Sequence, residues 1–321
     1  MKPQKKEIYK LREYLKWLHG LKLGELQGKG KALAGYLGTL MKTPEGFTLI
    51  EAKQSSKHVG RVIVDLVLQV GKDYEELVRP AVDGIERFQG AATVSGFMCL
   101  LNKRPLKQLT AKFKSEKVKY DLLRVAKFFN DKGIDTFEQL YDWLKLGDKP
   151  NDWSKLEERR GKLKTLKRDP NGTVFAVADK GADYLRKLLG HWDAVAVDSN
   201  TKVLLDKAGI VSRYSKKYNY NEKRAIVQLA ALSLGKRPID LDTSIYKDSV
   251  GNPLRYKSKK ATPKFSRGDC KKYIKENPCG AAQVMKQLGV SRSQAYRDMG
   301  KAGLTPGEID KVLGAVYDPK S

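Results

Sequence analysis

Two side chains stand out for the chemistry their types and spacing could carry. Lys180 opens one amphipathic helix pattern, and Asp198, 18 positions later, opens the next, with the apolar run Ala194, Val195, Ala196 and Val197 leading into the acid. A lysine at a helix start beside a desolvated pocket can lose its proton and act as an amine nucleophile. A carboxylate held at a fixed point stabilises positive charge that develops in a transition state. Both residues also have plainer uses: an aspartate at a helix start serves as its N-cap, and a lysine as a solvated charge.

Other chemistries have little support. Cys99, Cys270 and Cys279 share no C-x-x-C spacing, and His19, His58 and His191 are scattered. A disulfide framework, a zinc site and an iron–sulfur cluster are therefore not expected, and metal-dependent hydrolysis loses most of its basis. The run Gly24, Glu25, Leu26, Gln27, Gly28, Lys29 has the outline of a phosphate loop, but its spacing is short and Gly30 stands where Ser or Thr is required. No cofactor is expected.

The elements that must position these residues read as helices almost throughout. Ile8, Leu11, Tyr14, Leu15 and Leu18 recur at intervals of 3 and 4, as do Leu122, Val125, Ala126 and Phe129, then Phe137, Leu140, Tyr141 and Leu144. Asp135 and Thr136 precede the Phe137 helix, Gly133 ends the one before, and Gly190 and Gly209 end two later ones. Residues 62–70, interrupted only by Asp65 and Gln69, read as a buried helix. The expected class is all-α.

The 321 residues carry 63 Lys+Arg against 37 Asp+Glu, a formal charge of +26, with 40% apolar residues. That is enough apolar material for packed cores, so general disorder is excluded, and no run is long enough to span a membrane. The basic excess makes nucleic acid the leading partner. Residues 145–168 read as a basic loop with a short charged helix, and residues 248–265 as a cationic linker containing Gly251, Pro253 and Pro263. The expected organisation is an N-terminal helical extension (1–89), a core (90–247), the linker (248–265) and a helical module (266–321).

Within that core, Ala176, Val177, Ala178, Asp179 and Lys180, followed by Val197, Asp198 and Ser199, resemble the helix-hairpin-helix DNA glycosylases, the family of endonuclease III and 8-oxoguanine glycosylase. That family joins two helices by a hairpin of the form G-V-G-x-K and opens the following helix with an aspartate. The resemblance covers residues 90–246. Ala176 and Ala178 replace the hairpin glycines, and Asn200 stands where the family commonly has a histidine. The resemblance implies two helical subdomains. It also implies that Asp198 stabilises an oxocarbenium-like sugar and that Lys180 attacks the sugar to form a Schiff base in a bifunctional enzyme. Amides around Ala176, Val177, Ala178, Asp179 and Gly181 would hold a DNA phosphate. Gln89, Tyr184, Trp192 and Tyr214 are candidates for the pocket or wedge that receives a flipped base.

Residues 279–303 resemble a helix-turn-helix with a Gly289-Val290 turn and a second helix opening at Ser291. Arg292, Ser293, Gln294 and Arg297 would then face the major groove. The expected function is excision of a damaged or modified base from double-stranded DNA, in repair or in defence against foreign modified DNA. The alternative is a non-catalytic DNA-binding protein of the same fold. The expected protein is a monomer in the cytoplasm, associated with the nucleoid.

Overall fold

A computed structural model describes residues 3–43, 46–52, 57–69, 74–110, 113–166, 177–212, 215, 217–252, 274, 277–287 and 291–317. Every regular element among them is helical, and none of these helices is long and apolar enough to cross a membrane. The chain divides into two compact units, residues 1–256 and 257–321.

In the first unit, α1 (Lys5–His19) turns Leu11, Tyr14 and Leu15 inward, and α2 (Leu23–Leu40) turns Leu26, Leu33 and Leu37 inward. Gly30 lies inside α2, so the phosphate-loop-like run is continuous helix. A Cβ at Gly30 would stand 2.7 Å from Leu229 Cβ and 3.2 Å from the Ala230 nitrogen, so the missing side chain is what lets α2 lie against α12 (Tyr220–Ser233). At the centre is α3 (Val59–Leu68), in which every residue except Arg61 is buried. A π-helical turn over Tyr74–Val78 leads into α4 (Arg79–Glu86).

Next come α5 (Val94–Lys103), α6 (Leu106–Thr110), α7 (Glu116–Asn130) and α8 (Phe137–Leu144). The start signal before α8 is a capping box. Gln139 N donates to Thr136 Oγ1 at 3.2 Å, and Thr136 N donates to Gln139 Oε1 at 3.0 Å. Asp135 serves α5 as well, its Oδ1 accepting from Ser95 N at 2.8 Å. Residues of α1, α2 and α3 share one hydrophobic cluster with Leu122, Leu140, Leu204 and Ile226, so the first 89 residues and the core expected at 90–247 are packed together.

The described part of the basic stretch, 145–166, is mostly helix, where a loop with a short charged helix was expected. It forms α9 (Pro150–Leu163), which buries Trp153, Leu156, Arg160 and Leu163. The helices α10 (Asp179–Leu188), α11 (Ser199–Lys207), α12 and α13 (Pro238–Gly251) complete the unit. The last turn of α13 occupies residues 248–251, where the linker was expected to begin; residues 253–265 lie outside the described residues.

The second unit has three described helices, α14 (Pro278–Gln287), α15 (Arg292–Lys301) and α16 (Pro306–Tyr317), around its own core of Ala282, Ala295, Met299, Ile309 and Leu313. Ser291 caps α15, its Oγ accepting from Gln294 N at 3.3 Å. The Gly289-Val290 turn lies outside the described residues.

Candidate active site

The start of α10 is set by an ordinary extended residue. Ala178 has φ −96° and ψ −175°, torsions that alanine adopts freely, so no glycine is needed there for backbone reasons. Val177 is buried and donates its amide to Leu166 O at 2.9 Å, and Asp179 pairs with Lys164 at 2.5 Å. A Cβ on Gly181 would meet Val177 Cγ1 at 3.3 Å. Ala176 lies outside the described residues.

From that start, Lys180, Tyr184 and Lys187 follow at i, i+4 and i+7 and so share one face of α10. All three line a cleft of about 350 Å³. Asp198 lines the same cleft, as do Asp65 of α3, Tyr74, and Asp242 and Tyr246 of α13. Lys180 is exposed and has no ion pair or hydrogen bond among the described residues.

Asp198 is the N-cap of α11. Its Oδ1 accepts from Thr201 N at 2.8 Å and from Thr201 Oγ1 at 3.1 Å, and its Oδ2 has no hydrogen-bond partner among the described residues. The segment that delivers it, residues 194–197, belongs to no helix or sheet, and side chains supply partners to its last two amides. Ala196 N donates to Asp242 Oδ1 at 3.1 Å, and Val197 N donates to the Tyr220 hydroxyl oxygen at 3.2 Å.

Asp242 reaches the cleft buried, with its Oδ2 2.5 Å from Lys187 Nζ. Burial raises its pKa above the ordinary carboxylate value against the pull of Lys187, and the negative charge of Asp198 adds to the rise. Asp65 is also raised by burial, against hydrogen bonds from Tyr184 and Tyr74.

The adjacent flank of α10 is fixed by buried ions. Asp183 accepts from Arg160 Nη2 at 2.8 Å and from Arg224 Nη1 at 3.0 Å, and Arg224 Nη2 also donates to the Tyr14 oxygen at 3.0 Å. Tyr14 in turn donates to Glu157, which accepts from Arg160 as well. Such charges are costly to bury singly and tolerable when paired. The network ties α10 to α1, α9 and α12 and so orients the cleft face.

Two residues expected near the base are not brought to this cleft. Gln89 is exposed in a short turn before α5, and Trp192 is half-buried against the core, its carbonyl accepting from Ile239 N at 3.1 Å. Tyr214 lies outside the described residues. In the second unit, Arg292, Ser293 and Arg297 are exposed on α15. Gln294 is half-buried: its Nε2 donates to Asp298 at 2.9 Å and its Oε1 accepts from Arg297 at 2.7 Å.

Sequence reasoning missed Asp65, Tyr74, Lys187 and Asp242 as lining residues. Asp65 left one trace, an acid interrupting an apolar run. Among the described residues no group of three or more His, Cys, Asp or Glu side chains is arranged to hold a metal ion. No family model, curated protein or solved structure matches the chain.

Proposed function

We propose that the protein is a DNA glycosylase of the helix-hairpin-helix type, which receives a damaged or modified base flipped out of duplex DNA and breaks its N-glycosidic bond. One observation carries this reading: Lys180 and Asp198, from the starts of two different helices, line one cleft. Its volume of about 350 Å³ falls in the range of small-ligand pockets, roughly 300–1,000 Å³.

As the bond between sugar C1′ and the base lengthens, the base leaves with the bonding electrons and positive charge gathers on the sugar. Asp198, with Oδ2 uncommitted, stabilises that charge. Water then adds at C1′ and loses a proton, leaving an abasic site. In the bifunctional variant the neutral Lys180 amine adds at C1′ instead and loses a proton. The C1′–O4′ bond then breaks, O4′ takes up a proton, and the resulting Schiff base permits β-elimination, which breaks the C3′–O bond of the strand. Amides of residues 178–181 at the start of α10 hold a backbone phosphate, and the exposed Arg292, Ser293 and Arg297 of the second unit make further contacts with duplex DNA. The protein acts as a monomer, inside the cell and on the nucleoid.

The test is incubation with duplexes bearing oxidised, alkylated, deaminated and bulky phage-type modified bases, followed by alkali. Strand breaks at one or more of these sites are expected, and their absence across the panel rejects the enzyme. Borohydride should trap a covalent adduct in the wild type and not in Lys180→Gln if the lysine is the nucleophile.

A second reading has its own support, since Asp198 Oδ1 is engaged in capping α11. In that reading the chain is a non-catalytic DNA-binding protein of the same fold, which binds the duplex panel and cuts none of it.

A further inference from the structure

Asp65 is the one acid on α3, 4% exposed, and both its oxygens are occupied. The Tyr74 hydroxyl lies 2.8 Å from Oδ2 and the Tyr184 hydroxyl 2.8 Å from Oδ1. Burial disfavours the charged form, but the two hydrogen bonds and the Arg61 and Lys187 charges favour it; an ionised carboxylate has no proton to give, so both phenols donate to it. Each phenolic oxygen then retains only lone pairs. Both tyrosines line the cleft, and Tyr246 stands edge-on to Tyr74 with ring centroids 6.3 Å apart at 78°. Two of the cations lining the cleft are already engaged, Lys187 by Asp242 and Arg79 by Glu75 at 2.7 Å.

We propose that Asp65 sets the hydrogen-bond polarity of this cleft: Tyr74 and Tyr184 accept and do not donate, and the cleft selects a planar base with an exocyclic amino group over the same ring with a carbonyl there. The inference rests on the reading of the cleft as a base pocket. An amino group offers two N–H bonds to the two phenolic acceptors, whereas a carbonyl sets lone pairs against lone pairs in a desolvated wall. Asp65 acts through the tyrosines and is a positioning residue.

Asp65→Asn makes the reversal testable. The carboxamide NH₂ donates to one tyrosine oxygen, and that tyrosine's own proton is released to point into the cleft. The experiment measures binding of free adenine, hypoxanthine, cytosine and uracil to the full chain by saturation-transfer NMR and calorimetry. In the wild type, adenine should bind more tightly than hypoxanthine, and cytosine more tightly than uracil, by about tenfold or more. Asp65→Asn should bring each ratio to unity or invert it. Tyr184→Phe and Tyr74→Phe should each weaken the preference, and they carry the test if Asp65→Asn does not fold.

Equal binding within each pair, binding of none of the four bases, or an unchanged ratio in a folded Asp65→Asn protein overturns the proposal. Excision is scored separately on the lesion panel. A base preference without excision rejects only the glycosylase reading, and excision without a base preference rejects only the role of Asp65.

Discussion

Arg186, in the second half of α10, grips Asp193 with one guanidinium nitrogen at 2.9 and 2.7 Å from the two carboxylate oxygens, and both side chains are fully buried. The same guanidinium donates from Nε to the Leu144 carbonyl at 3.1 Å, and Gln228 holds the Asp193 carbonyl at 2.7 Å. Burial works to raise the Asp193 pKa, but the Arg186 charge and hydrogen bonds hold it below the usual carboxylate value. Asp193 lies five positions before Asp198, so this pair fixes the chain that delivers the candidate catalytic acid to the cleft.

Arg186→Met leaves Asp193 buried without its partner, and the expected loss is about 3–5 kcal/mol of stability. Adding Asp193→Leu should recover much of it, because the desolvated carboxylate is then gone. Urea denaturation of the two variants decides the point. A loss under about 1 kcal/mol in Arg186→Met would mean that the pair does not hold the segment.

His191 is stacked on Tyr141 with centroids 4.3 Å apart and is buried, with Nε2 lacking a hydrogen-bond partner among the described residues. Burial, aided by the positive charge of Arg186 and opposed by Asp193, pushes its pKa down from 6.5 to about 3. The unfolded chain thus takes up a proton below pH 6.5 that the folded chain refuses until about pH 3, so folding stability falls as pH drops through that window. Between neutral pH and about pH 4 the His191 contribution should be on the order of 3 kcal/mol. His191→Phe keeps the stack and has nothing to protonate. Its stability should therefore fall less on acidification, as read by urea midpoints at the two pH values; parallel losses would count against a buried neutral histidine.

Much of the helical framework was legible because its signals are local. Thr136 and Gln139 form the box that opens α8, and Gly133, Gly190 and Gly209 adopt the left-handed φ of 70°, 82° and 67° at their helix ends. The extent of α9 was underestimated because one of its inward positions is Arg160, which makes a buried stripe look solvated. Its partner Asp183 lies 23 residues away. The cleft was half legible. Lys180 and Asp198 carry the signature of their helix starts, whereas Asp65 meets Tyr184 across 119 residues and Lys187 meets Asp242 across 55, pairings that no periodicity encodes.

Gly30 and Gly35 sit on the same helix and should respond to alanine in opposite senses. Alanine normally favours a helix interior over glycine by about 1 kcal/mol. At Gly35 the added Cβ meets nothing within 4 Å among the described residues, so that gain should appear in full. At Gly30 it would press on Leu229 Cβ and on the Ala230 backbone, and α2 and α12 would have to separate. The expected loss is roughly 1–3 kcal/mol. Thermal unfolding of the two variants checks this, and stabilisation by Gly30→Ala would show that the helices are not in close contact there.

Asp198 combines a cap with a candidate catalytic charge, and two substitutions separate the roles. Asparagine caps helices as well as aspartate does, so Asp198→Asn should keep the bond to Thr201 N and hold stability within about 0.5 kcal/mol of the wild type. Asp198→Ala loses the cap and should cost about 1 kcal/mol. Duplex binding, measured by fluorescence anisotropy, should survive in the asparagine variant. Excision should be lost in both, since neither side chain can stabilise a cationic sugar with a full negative charge. An Asp198→Asn protein that folds, binds duplex and still excises a base at the wild-type rate would reduce Asp198 to its structural role.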